Sequence, residues 1–377
     1  MRTHLALAAL LSLPLSTIAH AGPNQPQVAV DPPAGGRVDL VIALDTSGSM
    51  DGLIDGARQR LWDVVGLLAQ AKPKPTLRVG VISYGNDSYG AAAGWVRKDL
   101  DLSSDLDSVY AKLFALRTNG GTEYVARAVK VSLEQMQWDQ SPKALRILFV
   151  AGNEAANQDP QLPVESVVQA AREKGIFVNT LYCGSPGAHE AGLWQRVAGL
   201  GGGQYAAIDH NRHLAIVTPM DAELARLSGE LNRTYVGYGR GSGSGLANQM
   251  AQDKNAAAAS PPAAASRAVA KASALYANDE WDLVDARKAK KADVSALKAE
   301  ELPAEMRNLK PAERATFLDQ KAKEREQVQQ KIQTLAKQRE DFLRKERSKA
   351  PAAKSGDLGG ALDGMIRTEA QSKGFSF

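Results

Sequence analysis

Val41 to Met50, "VIALDTSGSM", runs four apolar residues into Asp45 and then places hydroxyls two and four positions further on, at Ser47 and Ser49, with Gly48 between them. The apolar half reads as the end of a buried strand. The second half reads as a loop whose three oxygen-bearing side chains turn toward one point, because Gly48 permits a tight backbone path. Donors that are all oxygen select hard divalent cations, Mg²⁺, Mn²⁺ or Ca²⁺, over zinc or copper. Capping of the following helix by Asp45 or Ser49 would need one such residue and does not call for the alternation.

Outward from this loop, apolar runs alternate with amphipathic ones. Strands are expected at Val38 to Leu44, Leu77 to Ser83, Gly94 to Asp99, Leu145 to Val150, Phe177 to Leu181 and Gln204 to Ile208. Helices are expected at Gly52 to Gln70, Ser104 to Leu116, Glu123 to Met136, Pro163 to Lys174, His189 to Leu200 and Met220 to Asn232. Aliphatic strands without polar alternation, separated by helices, predict an α/β fold: a doubly wound, mostly parallel six-stranded sheet with helices on both faces. In such sheets ligands bind beyond the carboxyl ends of the strands, where the order of the chain reverses, and Asp45 stands at such an end.

"LDTSGSM" resembles the D-x-S-x-S signature of the von Willebrand factor type A domain, and "RTNGGTEYVARAV", Arg117 to Val129, is similar to that family's Gly-Gly-Thr loop opening a helix. The resemblance covers Arg37 to Gly239. It implies a metal-ion-dependent adhesion site with Asp45, Ser47, Ser49 and Thr122 as ligands, non-enzymatic, whose open coordination position is filled by an acidic side chain of a protein partner. The chain departs from the family's pattern after the fourth strand, where Ala151 stands before Gly152 in place of the usual aspartate. Asn153 or Glu154 could swing in as secondary contacts, with Tyr84 as a further partner contact. The residues "AGNE" resemble those of a bacterial exported subgroup with a variant site. Loss of one acid predicts weak binding, with a dissociation constant of roughly 10⁻⁴ to 10⁻³ M.

The alternative is a metal-dependent hydrolase or phosphoryl-transfer enzyme using the same cation. It would need a general base or second acid in the loop, and Ser47 occupies the slot where a phosphotransferase of the haloacid-dehalogenase kind carries its second aspartate. No nucleophile-elbow, zinc-protease or phosphate-loop pattern occurs in the sequence. "DHNRH", with Asp209, His210 and His213, offers a loosely spaced transition-metal cluster with fewer ligands than a zinc site needs, and reads better as a solvated loop. The net charge of +4 comes from 46 basic and 42 acidic residues, a mixed surface that does not point to nucleic acid.

The amino terminus reads as a signal peptide over residues 1–21, with Arg2, an apolar stretch from Leu5 to Ile18 and a small-x-small cleavage pattern at Ala19 to Ala21. The protein is therefore expected to be exported, periplasmic or secreted, with no transmembrane segment in the mature chain. Cys183, the single cysteine, is expected to be a buried core thiol. Residues 240–274, rich in Gly, Ala, Ser and Pro, read as a flexible linker reaching roughly 30 to 35 Å. Residues 275–349 read as a charged helical region. Leu318, Val328, Ile332, Leu335 and Phe342 follow a loose heptad interrupted by Lys321, Arg325 and Arg339, a solvated helix capable of weak coiled-coil self-association. Residues 350–377 read as a tail or docking peptide.

Overall fold

The computed structural model describes residues 36–208, 216–349 and 358–377. The leader read at residues 1–21 and the "DHNRH" segment lie outside them. Six strands form one sheet: β1 (Arg37–Asp45), β2 (Thr76–Tyr84), β3 (Val96–Ser103), β4 (Leu145–Gly152), β5 (Ile176–Tyr182) and β6 (Gly202–Ala207). Their order is β3-β2-β1-β4-β5-β6, parallel except for β3, which runs antiparallel to β2. Each expected strand is present. β3 carries Arg97, Lys98 and Asp99 and sits at the edge, where charged side chains discourage further strand pairing.

Between the strands run α1 (Asp51–Leu68), α2 (Leu106–Ala115), α3 (Val125–Gln135), α4 (Val164–Glu173) and α5 (His189–Leu200), followed by α6 (Asp221–Asn232). Alternate residues of β1 point to opposite faces of the sheet. Val38, Leu40 and Leu44 join one core with Ile54, Trp62, Val109 and Leu227 from α1, α2 and α6. Val41 and Ala43 join the other with Val125, Val168 and Trp194 from α3, α4 and α5. The chain goes from β1 to β2 on one side and returns to β4 on the other, so the carboxyl ends of β1 and β4 flank the reversal of strand order.

The segment expected to be a flexible linker is two helices, α7 (Ser242–Ala259) and α8 (Pro261–Lys271). Ser260 caps α8 by accepting from the Ala263 amide, and proline occupies the first turn. Ala263, Ala265, Ala268 and Ala270 are buried, and their small side chains let α8 lie close against α1 and α6. Alanine, read above as low complexity, here serves as a good helix former that packs without a large side chain. Two cations in this segment are wholly buried: Arg267 pairs with Asp107 of α2, and both Arg267 and Lys271 pair with Asp253 of α7.

The aromatic stretch after α8 also docks on the chain itself. The Tyr276 hydroxyl donates to Asp107 Oδ2 at 2.6 Å, and Trp281 packs beside Tyr235 with ring centroids 5.6 Å apart. Asp282 caps the short α9 (Leu283–Lys288). The long α10 (Pro311–Lys349) is not a solvated rod. Its heptad seam lies on α6, α8 and α9, burying Leu318 and Ile332. The cations that interrupt the seam find acids there: Arg325 Nη1 donates to Asp282 Oδ2 at 2.7 Å, and Arg339 Nε donates to Asp221 Oδ1 at 2.9 Å. The face expected to mediate self-association is thus taken up within the chain. Finally α11 (Leu358–Ser372) packs on α1 and β6, and Ser376 exchanges backbone hydrogen bonds of 2.8 Å with Lys72. Among the described residues no helix is long and apolar enough to cross a membrane.

Candidate functional site

The last residue of β1, Asp45, is wholly buried, and the chain then leaves the sheet toward α1. Three loops are tied together over it by backbone hydrogen bonds. Thr46 N donates to Tyr84 O at 2.8 Å, Asn119 N to Thr46 O at 2.9 Å and Gly48 N to Gly120 O at 2.9 Å. Gly85 and Thr122 form an isolated bridge that sets the Gly-Gly-Thr loop beside the end of β2. The sequence-predicted Asp45, Ser47, Ser49 and Thr122 therefore lie on two adjoining loops at the switch in strand order.

Within this cluster Ser47 N donates to Asp45 Oδ1 at 2.7 Å, and the Ser47 and Ser49 hydroxyl oxygens are 3.3 Å apart. Ser47 is buried, whereas Ser49 faces solvent. From the far side of the reversal, Asn153 Nδ2 donates to Ser49 Oγ at 3.0 Å. Of the two residues expected to swing in after the fourth strand, Asn153 reaches the cluster. Glu154 lies exposed at the surface, where its carbonyl accepts from Trp194 Nε1.

Tyr84 is not a partner contact. It is fully buried and its hydroxyl donates to Ala151 O at 2.9 Å, because the end of β2 lies under the loops rather than at their rim. Cys183 is a buried thiol whose titration burial pushes well up, in keeping with a core residue.

Glu123 is part of the site although it was read only as the first residue of a helix. The helix starts two residues later, at Val125, so Glu123 sits in the loop, 5% exposed, with its carboxyl turned inward. The signal for it in the sequence was the acid directly after Thr122, hidden by the preference of glutamate for a first helical turn.

The electrostatics are those of carboxyls starved of donors. Asp45 Oδ2, Glu123 Oε2 and Asn153 Oδ1 are buried with no hydrogen-bond partner. Burial, and then the neighbouring Glu123, raise the Asp45 carboxyl to about 8, against hydrogen bonds from Ser47 that lower it. Burial likewise raises Glu123 to about 7. Room for these groups depends on two glycines. A Cβ on Gly85 would stand 2.7 Å from Asp45 Oδ1, and one on Gly152 would stand 2.5 Å from the Tyr84 hydroxyl.

Orphaned carboxylate and amide oxygens beside serine hydroxyls fit a hard cation, which supplies positive charge to all of them at once. Among the described residues no three His, Cys, Asp or Glu side chains converge on one point, so a histidine- or thiolate-rich transition-metal centre has no ligands here.

Residues 39–196 match the von Willebrand factor type A domain family. Solved structures that resemble the chain include proximal thread matrix protein 1 from the mussel byssus, in a form with a zinc-occupied MIDAS motif, at 11% identity and a TM-score of 0.38 over 48% of this chain and 43% of that one. The SpRpn10 VWA domain resembles it at 10% identity and a TM-score of 0.33, over 46% of this chain and 88% of that one. The pilus adhesin SpaC from Lactobacillus rhamnosus GG does so at 14% identity and a TM-score of 0.37, over 47% of this chain and 28% of that one. The chain spans less than half the length of the mussel protein. No curated protein matches the sequence. The strand order, the loop cluster at its reversal and the family match agree: residues 39–196 form a von Willebrand factor type A domain.

Proposed function

We propose that this protein is an exported, periplasmic or secreted, non-enzymatic interaction module that grips a protein partner through a hard divalent cation, Mg²⁺, Mn²⁺ or Ca²⁺. Asp45, Ser47, Ser49 and Thr122 would hold the ion, and a coordination position they leave open would accept an acidic side chain of the partner. The observation that carries this reading is Asp45 Oδ2, a carboxylate oxygen buried at the mouth of β1 with no donor. Leaving such an atom unmatched costs several kcal/mol unless a cation or proton meets it. Ser47 positions the carboxylate through its amide, and Asn153 orients the Ser49 hydroxyl. The cluster offers a cation a cradle, and among the described residues no histidine or lysine bears on Asp45 or Glu123, which favours adhesion over hydrolysis.

The test is capture of an envelope partner by the immobilised protein with and without chelator, repeated with Asp45→Ala. Binding that chelator removes, that added Mg²⁺ or Mn²⁺ restores, and that Asp45→Ala abolishes supports the reading. A partner held equally well in chelator and by Asp45→Ala overturns it.

A further inference from the structure

We infer that Glu123 is a ligand of the same cation, supplying the second carboxylate that the chain lacks after its fourth strand. This rests on the cation reading above and adds to it a residue outside the D-x-S-x-S and threonine pattern.

Two observations converge on Glu123. The residue is 5% exposed, and its buried Oε2 has no hydrogen-bond partner, as is true of Asp45 Oδ2. Its side chain lies beside Asp45: the position of a Cβ on Gly85 lies 2.7 Å from Asp45 Oδ1 and 2.9 Å from Glu123 Cγ, so both acids pack against one glycine. Two acids brought together in a buried place repel each other and lose hydration, so the arrangement is costly unless a positive charge lies between them. Among the described residues no hydrogen-bond donor meets Asp45 Oδ2 or Glu123 Oε2.

The chemistry also closes. The family's acid after the fourth strand is replaced by Ala151, whose carbonyl is engaged by the Tyr84 hydroxyl. A site with Asp45 alone would leave a dication half neutralised. With Glu123 it holds two carboxylates beside the hydroxyls of Ser47, Ser49 and Thr122, an all-oxygen set of matching charge. Calcium and magnesium sites tune affinity by the number of charged ligands, so Glu123 offsets the weakening expected from Ala151.

The experiment is Mn²⁺ binding followed by electron paramagnetic resonance on the full chain, up to roughly 10 mM, ten times the weakest constant expected of such sites, for wild type, Asp45→Asn and Glu123→Gln. Terbium luminescence lifetimes in H₂O and D₂O count the waters on the bound ion. Circular dichroism and thermal melting confirm that the variants fold, and Glu123→Asp serves as a second variant if Glu123→Gln does not. The expected result is binding to wild type, loss in Asp45→Asn, and about ten- to a hundredfold weaker binding in Glu123→Gln with additional water on the ion. Wild-type affinity and an unchanged water count in Glu123→Gln, with loss in Asp45→Asn, would overturn the role of Glu123 and leave the cation site standing. No binding to wild type overturns both.

Discussion

Arg267 Nη1 donates to Asp107 Oδ1 at 2.7 Å across 160 residues of sequence, and both side chains are almost wholly buried, 1% and 4% exposed. The guanidinium also lies over the Trp62 ring, 4.7 Å from its centroid, so α8 is locked to α1 and α2 by charge and stacking together. Arg267→Ala leaves Asp107 without its charge partner in the interior and is expected to cost about 3–5 kcal/mol. Urea denaturation of wild type and variant measures it, and a loss below 1 kcal/mol would contradict the pairing.

Because residues 242–271 are helices and not a tether, native trypsin should spare Arg267 and Lys271, whose side chains are 1% and 0% exposed. Cleavage needs an extended, accessible backbone. Mass spectrometry of a limited digest reads the outcome directly. Rapid release of a fragment ending at either residue would show that these helices do not hold in solution.

A cation that binds only the folded chain raises its stability by mass action. With a dissociation constant near 10⁻³ M, 10 mM Mg²⁺ should add about 1.4 kcal/mol to wild type. The same addition should leave Asp45→Ala unmoved. Paired thermal melts with Mg²⁺ and with chelator, at matched ionic strength, separate the specific effect from general salt screening.

Gly85 has a φ of +78°, and a side chain there would meet Asp45 Oδ1 at 2.7 Å. Gly85→Ala is expected to destabilise the fold by roughly 1–3 kcal/mol through backbone strain and to abolish Mn²⁺ binding by displacing the Asp45 carboxylate. Chemical denaturation gives the first quantity and ion titration the second. Undiminished ion binding in this variant would mean that Asp45 is not where the ion sits.

On α11, burial raises the Glu369 carboxyl to about 8. Asn179 of β5 lies close enough to ease that rise, yet neither Glu369 oxygen nor Asn179 Nδ2 completes a hydrogen bond. The folded form thus keeps a proton that the unfolded form gives up near 4.5. Stability from this group is fully present below about pH 4.5 and is lost as pH rises toward 8, by an amount on the order of a few kcal/mol. Glu369→Gln should flatten this part of the pH profile and be more stable than wild type at pH 8. Denaturation midpoints from pH 5 to 8.5 test this, and parallel profiles for the two proteins would sink it.

The von Willebrand domain was largely legible in the chain because its signals are local. Four apolar residues before Asp45, two serines at alternate positions and a Gly-Gly-Thr loop place strand, turn and helix by rules that act over a few residues. The four central strands β2, β1, β4 and β5 follow from their aliphatic runs. The antiparallel edge strand β3 keeps its place because its charges make it a poor template for a further strand.

Other features were decided by contacts between residues far apart in the chain. Alanine-rich residues 261–271 carry no large apolar group, so only the nearness of α1 and α6 turns them from a tether into a packed helix. Arg325 and Arg339 look like breaks in a heptad until Asp282 and Asp221 come to meet them. Tyr84 and Glu123 were settled in the same way: a tyrosine expected to contact a partner is buried, and a glutamate at an apparent helix start faces inward. Taken alone, the sequence determined that an oxygen-rich loop would cap the first strand. The tertiary fold decided which buried carboxyls are left without donors around that loop, since burial and unmet hydrogen bonds depend on what the rest of the chain brings there.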